Sequence, residues 1–487
     1  MLNEKPMKRK ERFMKPIPTF LLASLFAAAI ALPSPARAEL RAGTAVVDVT
    51  PQEWPLAPRG SFTPHPVDST HDPLEVRCLV LNDGNSSIAL AVVDSCMVHR
   101  DVLDPAKKQA SEATGIPAEQ MLISATHTHS APFANAQHGT PQELAYQKRL
   151  LEGMVEAIVR ASENRQPAKA GWSGYDLPEE VFNRRWFLKP GTVPTNPFGE
   201  DTDIVKMNPP RNNNVLINPA GPTDPEVSVL HVVNANGRPL AVFANYSLHY
   251  VGNTGGQMSA DYFGEFSRLM PVRLGRPAEG FVAMLSNGTS GDINNINFRH
   301  PRPRREPFEQ IRIVASKTAD AATRAIRRID SPSGNLTLTM KQREITLKHR
   351  VPTAKQIERA KRIVEIDAEG EKKLPRLAKA YAQRTLKLAA EPPTTKVIIQ
   401  TVRIGDLAIC TLPFEVLVEI GLELKDKSPA ADTFVVSLAN GGYGYLPTPE
   451  QHQFGGYETW LTTNKVQKDA SVILVDNLLE MLGKMFP

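Results

Sequence analysis

Short apolar segments rich in β-branched residues alternate with longer segments of helical periodicity along nearly the whole chain. Gly, Asn, Asp or Pro bound most of the apolar segments, which is typical of strands that end in turns. Strands mixed with helices predict an α/β fold with a large mixed β-sheet core flanked by helices. The predicted strands are 43–51, 75–84, 87–95, 121–126, 227–237, 240–249, 280–287, 336–347, 396–413 and 433–440. The predicted helices are 104–114, 141–163, 261–274, 308–328, 353–389, 414–425 and 467–484.

Three connections refine this fold. "DGNS" and "NANGRP" predict tight two-residue turns, so part of the sheet is antiparallel. Residues 172–226 are rich in Pro, Asn and Gly and predict a long loop that walls a site. Residues 353–391 form a charged helical excursion, broken near Gly370 and Pro375, whose charges are interpreted as a solvated face.

The first 38 residues have the grammar of a secretory signal peptide. A basic start precedes the apolar stretch 20–32, and "ARA" ends at Ala38 as a small-residue cleavage site. The apolar stretch is short for a bilayer span, and no second apolar run of about 20 residues follows it. We therefore expect an exported chain, periplasmic or secreted, that begins near Glu39 and has no stable membrane insertion after signal removal.

Charge argues against a nucleic-acid partner. The chain has 57 basic and 52 acidic residues, and residues 1–38 hold 7 and 2 of these, which leaves 50 of each in residues 39–487. A neutral mature chain lacks the basic surface that nucleic acid or an anionic membrane attracts. The sequence leaves the oligomeric state open.

The cysteines do not form a disulfide framework. Cys78, Cys96 and Cys410 each lie within an apolar segment, and their number is odd. Buried small hydrophobic residues are the favoured interpretation. Pairing of Cys78 with Cys96 on neighbouring strands is the alternative in an oxidising compartment.

Histidines at two strand ends are candidate metal ligands. His127 and His129 follow the strand "MLISAT", and His249 ends "VFANYSLH". If extended geometry continues through the first two, their side chains share one face, so that one binds metal and the other handles protons. A structural role in a turn is the alternative.

Two further segments carry polar groups next to apolar strands. The loop "SNGTSGDINN" (286–295) has either backbone amides that form an anion-binding concavity, with Asp292 and Asn294 as polar contacts, or an ordinary Asx-rich turn. Glu415 lies between a strand and a helix, where it is either a functional carboxylate or a helix N-terminal cap.

Taken together, these motifs resemble the amino-terminal catalytic domain of the neutral (non-lysosomal) ceramidase family, as a distant bacterial-type member. The matching stretches occur in family order over residues 43–475, and the set is more specific than any one motif. They are "HDPLEVRCLVLNDG", "ISATHTHSAP", "FNRRW", "NYSLH", "SADYFGEF", "GTSGDINN", "LPFE" and "ANGGYGYLPTPEQ" with "GGYE".

The resemblance implies a zinc ion and its ligands. Carried over position by position, the ligands are His127, His249, Glu415 and Tyr445. His129, Arg184 and Tyr457 correspond to family residues that line the site and bind the reacting amide. Asn294 stands where the family has a serine, and an asparagine side chain can donate a hydrogen bond but cannot act as an alkoxide nucleophile. The family's carboxy-terminal immunoglobulin-like domain has no expected counterpart, so the domain prediction is a signal peptide over 1–38 and one catalytic domain over 39–487.

The expected activity is hydrolysis of an N-acyl amide by a zinc-activated water, with ceramide or another acylated lipid or small amine as substrate. An esterase or other carbonyl hydrolase that uses the same metal is the first alternative. A non-catalytic binding protein that keeps the fold is the second.

Overall fold

The computed structural model describes residues 39–60, 65–135 and 139–486. The described strands are β1 Arg41–Asp48, β2 Glu75–Asn82, β3 Ser87–Val93, β4 Met121–Ala125, β5 Gln166–Asp176, β6 Phe182–Asn183, β7 Arg185–Leu188, β8 Val205–Met207, β9 Leu216–Pro219, β10 Glu226–Asn234, β11 Pro239–Tyr246, β12 Val282–Asn287, β13 Ile293–Asn294, β14 Leu338–Lys348, β15 Thr394–Ile404, β16 Leu407–Leu412, β17 Glu415–Val416, β18 Asp432–Ser437 and β19 Tyr445–Leu446. The described α-helices are α1 Arg100–Thr114, α2 Pro141–Glu163, α3 Asp261–Leu274, α4 Glu309–Ile326, α5 Ala354–Val364, α6 Ala368–Glu371, α7 Ala378–Ala390, α8 Val418–Lys427, α9 Pro449–Phe454 and α10 Ala470–Met485.

The largest sheet has eight strands in the order β12-β11-β10-β5-β1-β2-β3-β4. Two pairs in it are parallel, β3 with β4 and β11 with β12, and the others are antiparallel. A second sheet has the order β14-β15-β16-β18 and is also mixed. The predicted α/β class with a large mixed sheet flanked by helices is therefore confirmed.

The two sheets pack face to face, and helices cover their outer faces. Apolar side chains of β2 and β3 meet those of β14, β15, β16 and β18 in one buried cluster. Helices α1 to α4 cover the outer face of the eight-stranded sheet. Helices α8 and α10 cover the outer face of the four-stranded sheet. The layers are thus helix, sheet, sheet and helix.

The predicted two-residue turn is present between β2 and β3, whereas the turn between β10 and β11 has one residue more than predicted. The amide of Asp83 donates to Ser86 O at 3.2 Å, so Gly84 and Asn85 form the centre of the β2–β3 turn. Between β10 and β11 the amide of Asn234 donates to Arg238 O at 2.9 Å, which leaves three central residues, 235–237. The extra residue places Gly237 at φ +73°, the left-handed conformation that glycine adopts without strain.

Two segments differ from the sequence prediction. The apolar run 396–413 is two antiparallel strands, β15 and β16, because Gly405 turns the chain at φ +62°. The segment 172–226 is not a long loop throughout, because it includes the end of β5 and the short strands β6 to β9. Strands β7, β8 and β9 form a small sheet of their own. Their short segments mix polar and apolar residues, so no alternating pattern in the sequence marks them as strands.

The three cysteines are buried free thiols. Cys78 pairs across the β2–β3 ladder with Ala91, whereas Cys96 lies beyond the end of β3. The alternative of a Cys78–Cys96 disulfide is therefore wrong, because the two residues are not opposite each other in the ladder. Burial raises the pKa of the Cys78 thiol, which keeps it protonated and inert.

Residues 353–391 contain α5, α6 and α7, and α5 and α7 share a small apolar cluster of their own. Thr353 and Gln356 form a reciprocal capping box at the start of α5. The chain leaves helical geometry between α5 and α6 and again before α7. Among the described residues, no helix is both long and apolar enough to cross a membrane. The predicted signal peptide lies outside the described residues.

Candidate metal centre

His127 and His249 reach the same point from different strands of the eight-stranded sheet. His127 follows β4 by two residues and His249 follows β11 by three. Their Nε2 atoms lie 3.1 Å apart, and both side chains are buried. Two imidazoles whose Nε2 atoms face each other at this distance leave a space that suits a shared cation.

The backbone does not stay extended through His127 as the shared-face prediction requires. His127 has φ +71°, and its amide donates to Ser95 O at 2.9 Å. His129 nevertheless brings its Nε2 to 3.2 Å from that of His127. A turn that begins at the strand end, rather than strand periodicity, therefore places the two histidines together.

Backbone carbonyls fix the rings of both buried histidines. Nδ1 of His127 lies 2.7 Å from Cys96 O, and Nδ1 of His249 lies 3.0 Å from Ser290 O. A carbonyl can only accept, so each Nδ1 carries a proton, and in the neutral form of each ring Nε2 presents a lone pair. Metal-binding histidines characteristically have such an outer hydrogen bond.

Glu415 completes the cluster. Its Oε2 lies 3.2 Å from Nε2 of His127 and 3.8 Å from Nε2 of His249. Within the described residues this buried oxygen makes no well-directed hydrogen bond. The helix-capping alternative is wrong, because Asp292 Oδ1 accepts the Val418 amide at the start of α8 at 2.9 Å.

Tyr445 lies beside Glu415 because β17 and β19 pair in parallel with these two residues in register. Its hydroxyl accepts a hydrogen bond from Arg184 Nη2 at 2.9 Å. Burial raises the pKa of Tyr445 well above its ordinary value, although the Arg184 charge opposes this. The structure thus brings together the four residues that the resemblance names as ligands.

The electrostatics favour one added positive charge next to Glu415. Burial, followed by neighbouring positive charges, lowers the pKa values of His129 and His249 well below 6.5, so both imidazoles are neutral. Burial also lowers the pKa of His127, but the charges of Cys96 and Glu415 outweigh it and raise this pKa to about 10. Burial opposes ionisation of Glu415, but His127 outweighs it and lowers the carboxyl pKa. The Glu415 carboxylate therefore favours a positive charge at Nε2 of His127, which either a proton or a metal ion can supply.

These donors fit a zinc ion. Neutral imidazole nitrogens, a carboxylate and a phenol oxygen make the borderline N/O set that zinc accepts. The oxygen of Glu415 that lacks a hydrogen bond points to the same place as the two Nε2 lone pairs. A second group, Cys96 with His127 and His129, fits less well, because the Cys96 thiol approaches Nδ1 of His127, which already donates to a carbonyl.

Arg184 is buried against the metal-binding cluster. Besides Tyr445, its Nη2 donates to Gly291 O at 2.6 Å, and its Nε lies 3.4 Å from Glu458 Oε1. The neighbouring Arg185 is fully buried and pairs with Glu458 Oε2 at 2.6 Å. Tyr457 packs edge-on against Tyr445, with ring centroids 5.5 Å apart.

Asn294 lies behind the site rather than at its surface. Its Nδ2 donates to Asn208 Oδ1 at 2.9 Å, and its Oδ1 accepts the Ile296 amide at 2.9 Å. Asn208, at φ +49°, lines a cavity next to the histidines. The loop 286–295 is thus Asx-rich in the way the second alternative describes. The amides of Gly288 and Gly291 donate to backbone carbonyls and are not available to an anion.

Sequence reasoning missed three residues of the site. Glu458 anchors both arginines of "FNRRW", Asn208 contacts Asn294, and Tyr250 stacks on His129 with centroids 3.7 Å apart. Glu458 lay within the quoted motif "GGYE" and Tyr250 directly follows His249, so their positions carried a signal. Asn208 lies in a segment with no pattern to single it out.

Two cavities border the cluster. The histidine-side cavity has a volume of about 740 Å³ and is lined by His129, His249 and Arg184. The glutamate-side cavity has a volume of about 730 Å³ and is lined by Glu415. Tyr445 and Tyr457 line both cavities, so both cavities adjoin the candidate metal centre.

Comparison with known proteins points to one family. No family model matches the chain. The chain is 26% identical over 269 residues to neutral ceramidase B of Dictyostelium discoideum, an alignment that covers 52% of this chain and 35% of that protein. It is 25% identical over 303 residues to the neutral ceramidase of Pseudomonas aeruginosa, which covers 58% and 41% respectively. The chain is a distant relative of the neutral ceramidases.

The fold agrees with this relationship. The crystal structure of the neutral ceramidase from Pseudomonas aeruginosa matches with a TM-score of 0.68 and 17% identity, over 92% of this chain and 75% of that one. At this identity the match shows that the neutral ceramidase fold is shared. The sequence alignments span roughly a third to two fifths of the length of these curated ceramidases.

Proposed function

We propose that this protein is a zinc-dependent hydrolase of N-acyl amides, with His127, His249, Glu415 and Tyr445 as the zinc ligands. One observation carries the proposal. The two histidines have Nδ1 fixed by carbonyls, and their Nε2 atoms converge on a buried Glu415 oxygen that has no well-directed hydrogen bond among the described residues. The distant relationship to neutral ceramidases supports amide hydrolysis as the reaction.

The metal's part is general. Zinc held by these four residues would supply Lewis-acid chemistry, polarising the substrate carbonyl and activating water for attack. The residues around the metal position the substrate and exchange protons with it. His129 is neutral, borders the histidine-side cavity and is held by stacking on Tyr250, so its imidazole is placed to take a proton and return it to the departing amine.

Arg184 and Tyr457 orient the reacting group. Arg184 keeps its charge in the buried site because Glu458 lies beside it, and it donates to the Tyr445 hydroxyl. A guanidinium at that position stabilises negative charge that develops on the substrate carbonyl oxygen. Tyr457 lines both cavities and presents its ring at the junction where the amide would lie. Asn294 acts through Asn208, to which it donates.

The substrate is an acylated amine, either a lipid such as ceramide or a smaller acyl amide. Apolar side chains in the wall of the histidine-side cavity suit an acyl chain. They include Val193, Pro194, Pro197, Val205, Met207 and Leu377. The volume of about 740 Å³ is within the range of sites that enclose drug-sized ligands.

Metal analysis with a paired substrate screen tests the proposal. Purified protein should hold about one zinc per chain and hydrolyse a long-chain acyl amide faster than the matched ester at equal acyl length. Faster ester hydrolysis would identify an esterase instead. Full zinc occupancy without hydrolysis of either class would indicate a binding protein and contradict the proposal.

We also propose that the protein acts outside the cytoplasm, after removal of residues 1–38. The support is the three-part leader in the sequence. Amino-terminal sequencing of protein from its native host should find a start near Glu39. An intact Met1 on cytoplasmic protein would contradict export.

A further inference from the structure

The glutamate-side cavity is lined by an excess of basic side chains. Among the described residues, five lysine or arginine residues border it, against three carboxylates, Asp101, Glu391 and Glu415. The basic residues come from the loop before residue 60, from α1, from α7 and from the loop after residue 460. They are Arg59, Arg100, Arg384, Lys387 and Lys465.

Ion pairs within the protein account for only part of this charge. Lys465 pairs with Glu391 at 3.1 Å, and Arg100 pairs with Asp104 at 2.8 Å and with Glu344 at 3.1 Å.

Within the described residues, Arg59 and Lys387 form no ion pair with a carboxylate. The Arg59 guanidinium instead lies 4.7 Å from the centroid of the Phe133 ring and 3.6 Å from the sulfur of Met97. Two cations in the wall of one cavity are thus left for a ligand.

His99 lies in the positive electrostatic potential that these cations create in the cavity. It lines the cavity, and its buried Nε2 has no hydrogen-bond partner in the part of the chain that the structure describes. Burial first, and then the charges of Arg59, Lys465 and Lys387, lower the pKa of His99 to about 4. A neutral imidazole with an unpartnered nitrogen therefore lies among groups that attract an anion.

The two cavities differ in the groups they can hold. The histidine-side cavity has the apolar wall described above and also three basic residues, Arg184, Lys206 and Arg376, against the carboxylate of Asp203. Met97 and tyrosine rings are the main apolar groups of the glutamate-side cavity, so the apolar wall rather than the charge distinguishes the two. Because Tyr445 and Tyr457 line both, an amide at the metal centre would extend its acyl chain into one cavity and its amine portion into the other. The amine portion then meets Arg59 and Lys387.

We infer that the preferred substrates are N-acyl amides whose amine portion carries an anionic group, a carboxylate or a phosphate, bound in the glutamate-side cavity by Arg59 and Lys387. This inference rests on the proposed function and specifies its substrate class. Hydrolysis of such a compound adds water across the C–N bond and releases a fatty acid and the anionic amine. It requires no further reactant.

Three amides with the same dodecanoyl chain test the inference on zinc-loaded protein. N-dodecanoyl glutamate carries carboxylates, N-dodecanoyl phosphoethanolamine carries a phosphate, and N-dodecanoyl ethanolamine is neutral. We expect kcat/KM to be about 10-fold higher for at least one anionic amide than for the neutral one, chiefly through KM, and the two anionic arms identify which anion is preferred. Equal kcat/KM for all three would overturn the inference.

A charge reversal at Lys387 makes the test specific. Lys387 is an exposed residue of α7 that lines the cavity, so Lys387→Glu should leave the fold intact. It should raise KM for the preferred anionic amide about 5- to 10-fold and leave the neutral amide within about 2-fold, since exposed charge pairs have modest energies. Lys361→Glu, also exposed but on α5 and away from both cavities, is the matched control and should change neither substrate.

Lys206→Met distinguishes the two cavities, because Lys206 lines the histidine-side cavity. If Lys206→Met and not Lys387→Glu raises KM for the anionic amide, the anion binds on the other side and the inference is wrong.

If no amide is cleaved, the proposed function fails, and calorimetry with ketomethylene analogues that cannot be hydrolysed still decides the inference. Weaker binding of the anionic analogue to Lys387→Glu supports it. Unchanged binding refutes it.

Discussion

At the scale of single residues, the two histidines nearest Glu415 divide their ring nitrogens between the protein and a ligand. Cys96 O and Ser290 O each hold an Nδ1, and both acceptors belong to the backbone. A side-chain substitution cannot remove a backbone acceptor, so the ring orientation depends on the fold around it. The histidines themselves are the positions at which the site can be emptied selectively.

Substitutions at His127 and Asn294 should therefore have very different effects. His127→Ala removes a proposed ligand and should abolish both zinc occupancy and hydrolysis. Asn294→Ala removes a contact to Asn208 and should retain full zinc, with turnover lowered by less than the roughly 10²- to 10³-fold that loss of a direct oxyanion donor costs, because Asn294 acts through Asn208. His129→Ala should fall between them, since proton transfer contributes about 10² to 10⁴-fold.

The measurement is steady-state turnover with elemental analysis of every variant. Asn294→Ser is the conservative control, because a hydroxyl can also donate a hydrogen bond. If Asn294→Ala is as inactive as His127→Ala while fully loaded with zinc, the loop takes part directly in the reaction.

The identity of the site residues was predictable from the sequence, whereas their spatial arrangement was not. It named His127, His249, Glu415 and Tyr445, which the structure brings together, although their roles remain proposals. It placed His127 and His129 on one strand face, whereas a residue at φ +71° creates their proximity. Backbone turns that depend on hydrogen bonds to distant segments, such as the His127 amide to Ser95, leave no periodic signal.

At the scale of elements, a buried ion pair joins β2 to the end of β3. Arg77 is 2% exposed, and its Nη1 lies 3.0 and 2.8 Å from the two carboxylate oxygens of Asp94. Burial raises the pKa of Asp94 to about 7 even though the Arg77 charge opposes it. Asp94 directly precedes Ser95 and Cys96, whose carbonyl oxygens accept hydrogen bonds from the amide and the Nδ1 of His127. The ion pair therefore helps to position His127.

Arg77→Met should destabilise the fold by about 3–5 kcal/mol, because it leaves a buried carboxylate without its partner. Urea denaturation at pH 7.5 measures the change. Arg362→Met is the control. Arg362 pairs with Glu358 at 2.8 Å on the exposed face of α5, and its loss should cost at most about 0.5 kcal/mol. Equal effects in the two variants would show that burial does not determine the energy of the pair.

His231 on β10 should make the fold sensitive to acid. It is 7% exposed, its Nε2 has no partner among the described residues, and burial lowers its pKa to about 4. An unfolded histidine titrates near 6.5. The unfolded chain therefore binds the proton first as pH falls, and stability present above about pH 6.5 is lost between 6.5 and 4.

His231→Leu removes this proton linkage. Its stability relative to wild type should rise as pH falls, by about 2–3 kcal/mol between pH 7.5 and 4, if the full shift is realised. Urea midpoints at pH 7.5, 5.5 and 4.5 measure it. His300→Leu, at an exposed position, should show no such trend. A constant difference across this pH range would contradict the assignment.

Elements with a strong local period were predictable, and those defined by distant partners were not. The helix predicted over 141–163 coincides with α2, because its apolar residues recur with helical spacing and Thr140 caps it. The run 396–413 hid a turn at Gly405, because apolar residues continue on both sides of it. The strands β7, β8 and β9 exist through pairing with one another, which no single segment encodes.

At the scale of the whole molecule, the candidate metal centre joins the two sheets. His127 and His249 follow strands of the eight-stranded sheet, whereas Glu415 follows β16 and Tyr445 follows β18 of the four-stranded sheet. The mixed α/β class was predictable from the alternation of strands and helices. The face-to-face packing of two sheets was not, because it depends on contacts between residues hundreds of positions apart.

Removal of the proposed zinc ion should therefore lower the stability of both sheets together rather than loosen one loop. A ligand that binds only the folded state stabilises it by about 2.7 kcal/mol at a hundredfold excess over its Kd. In a domain of this size, that corresponds to a decrease in Tm of a few degrees after chelation. Scanning calorimetry of chelated protein should show one transition at the lower Tm, and added zinc should restore the original value. His249→Ala should have the lower Tm from the start and respond little to zinc, whereas His300→Ala, at an exposed position, should behave as wild type. If zinc raises the Tm of His249→Ala as much as that of wild type, the metal binds elsewhere in the protein and the four residues are not its ligands.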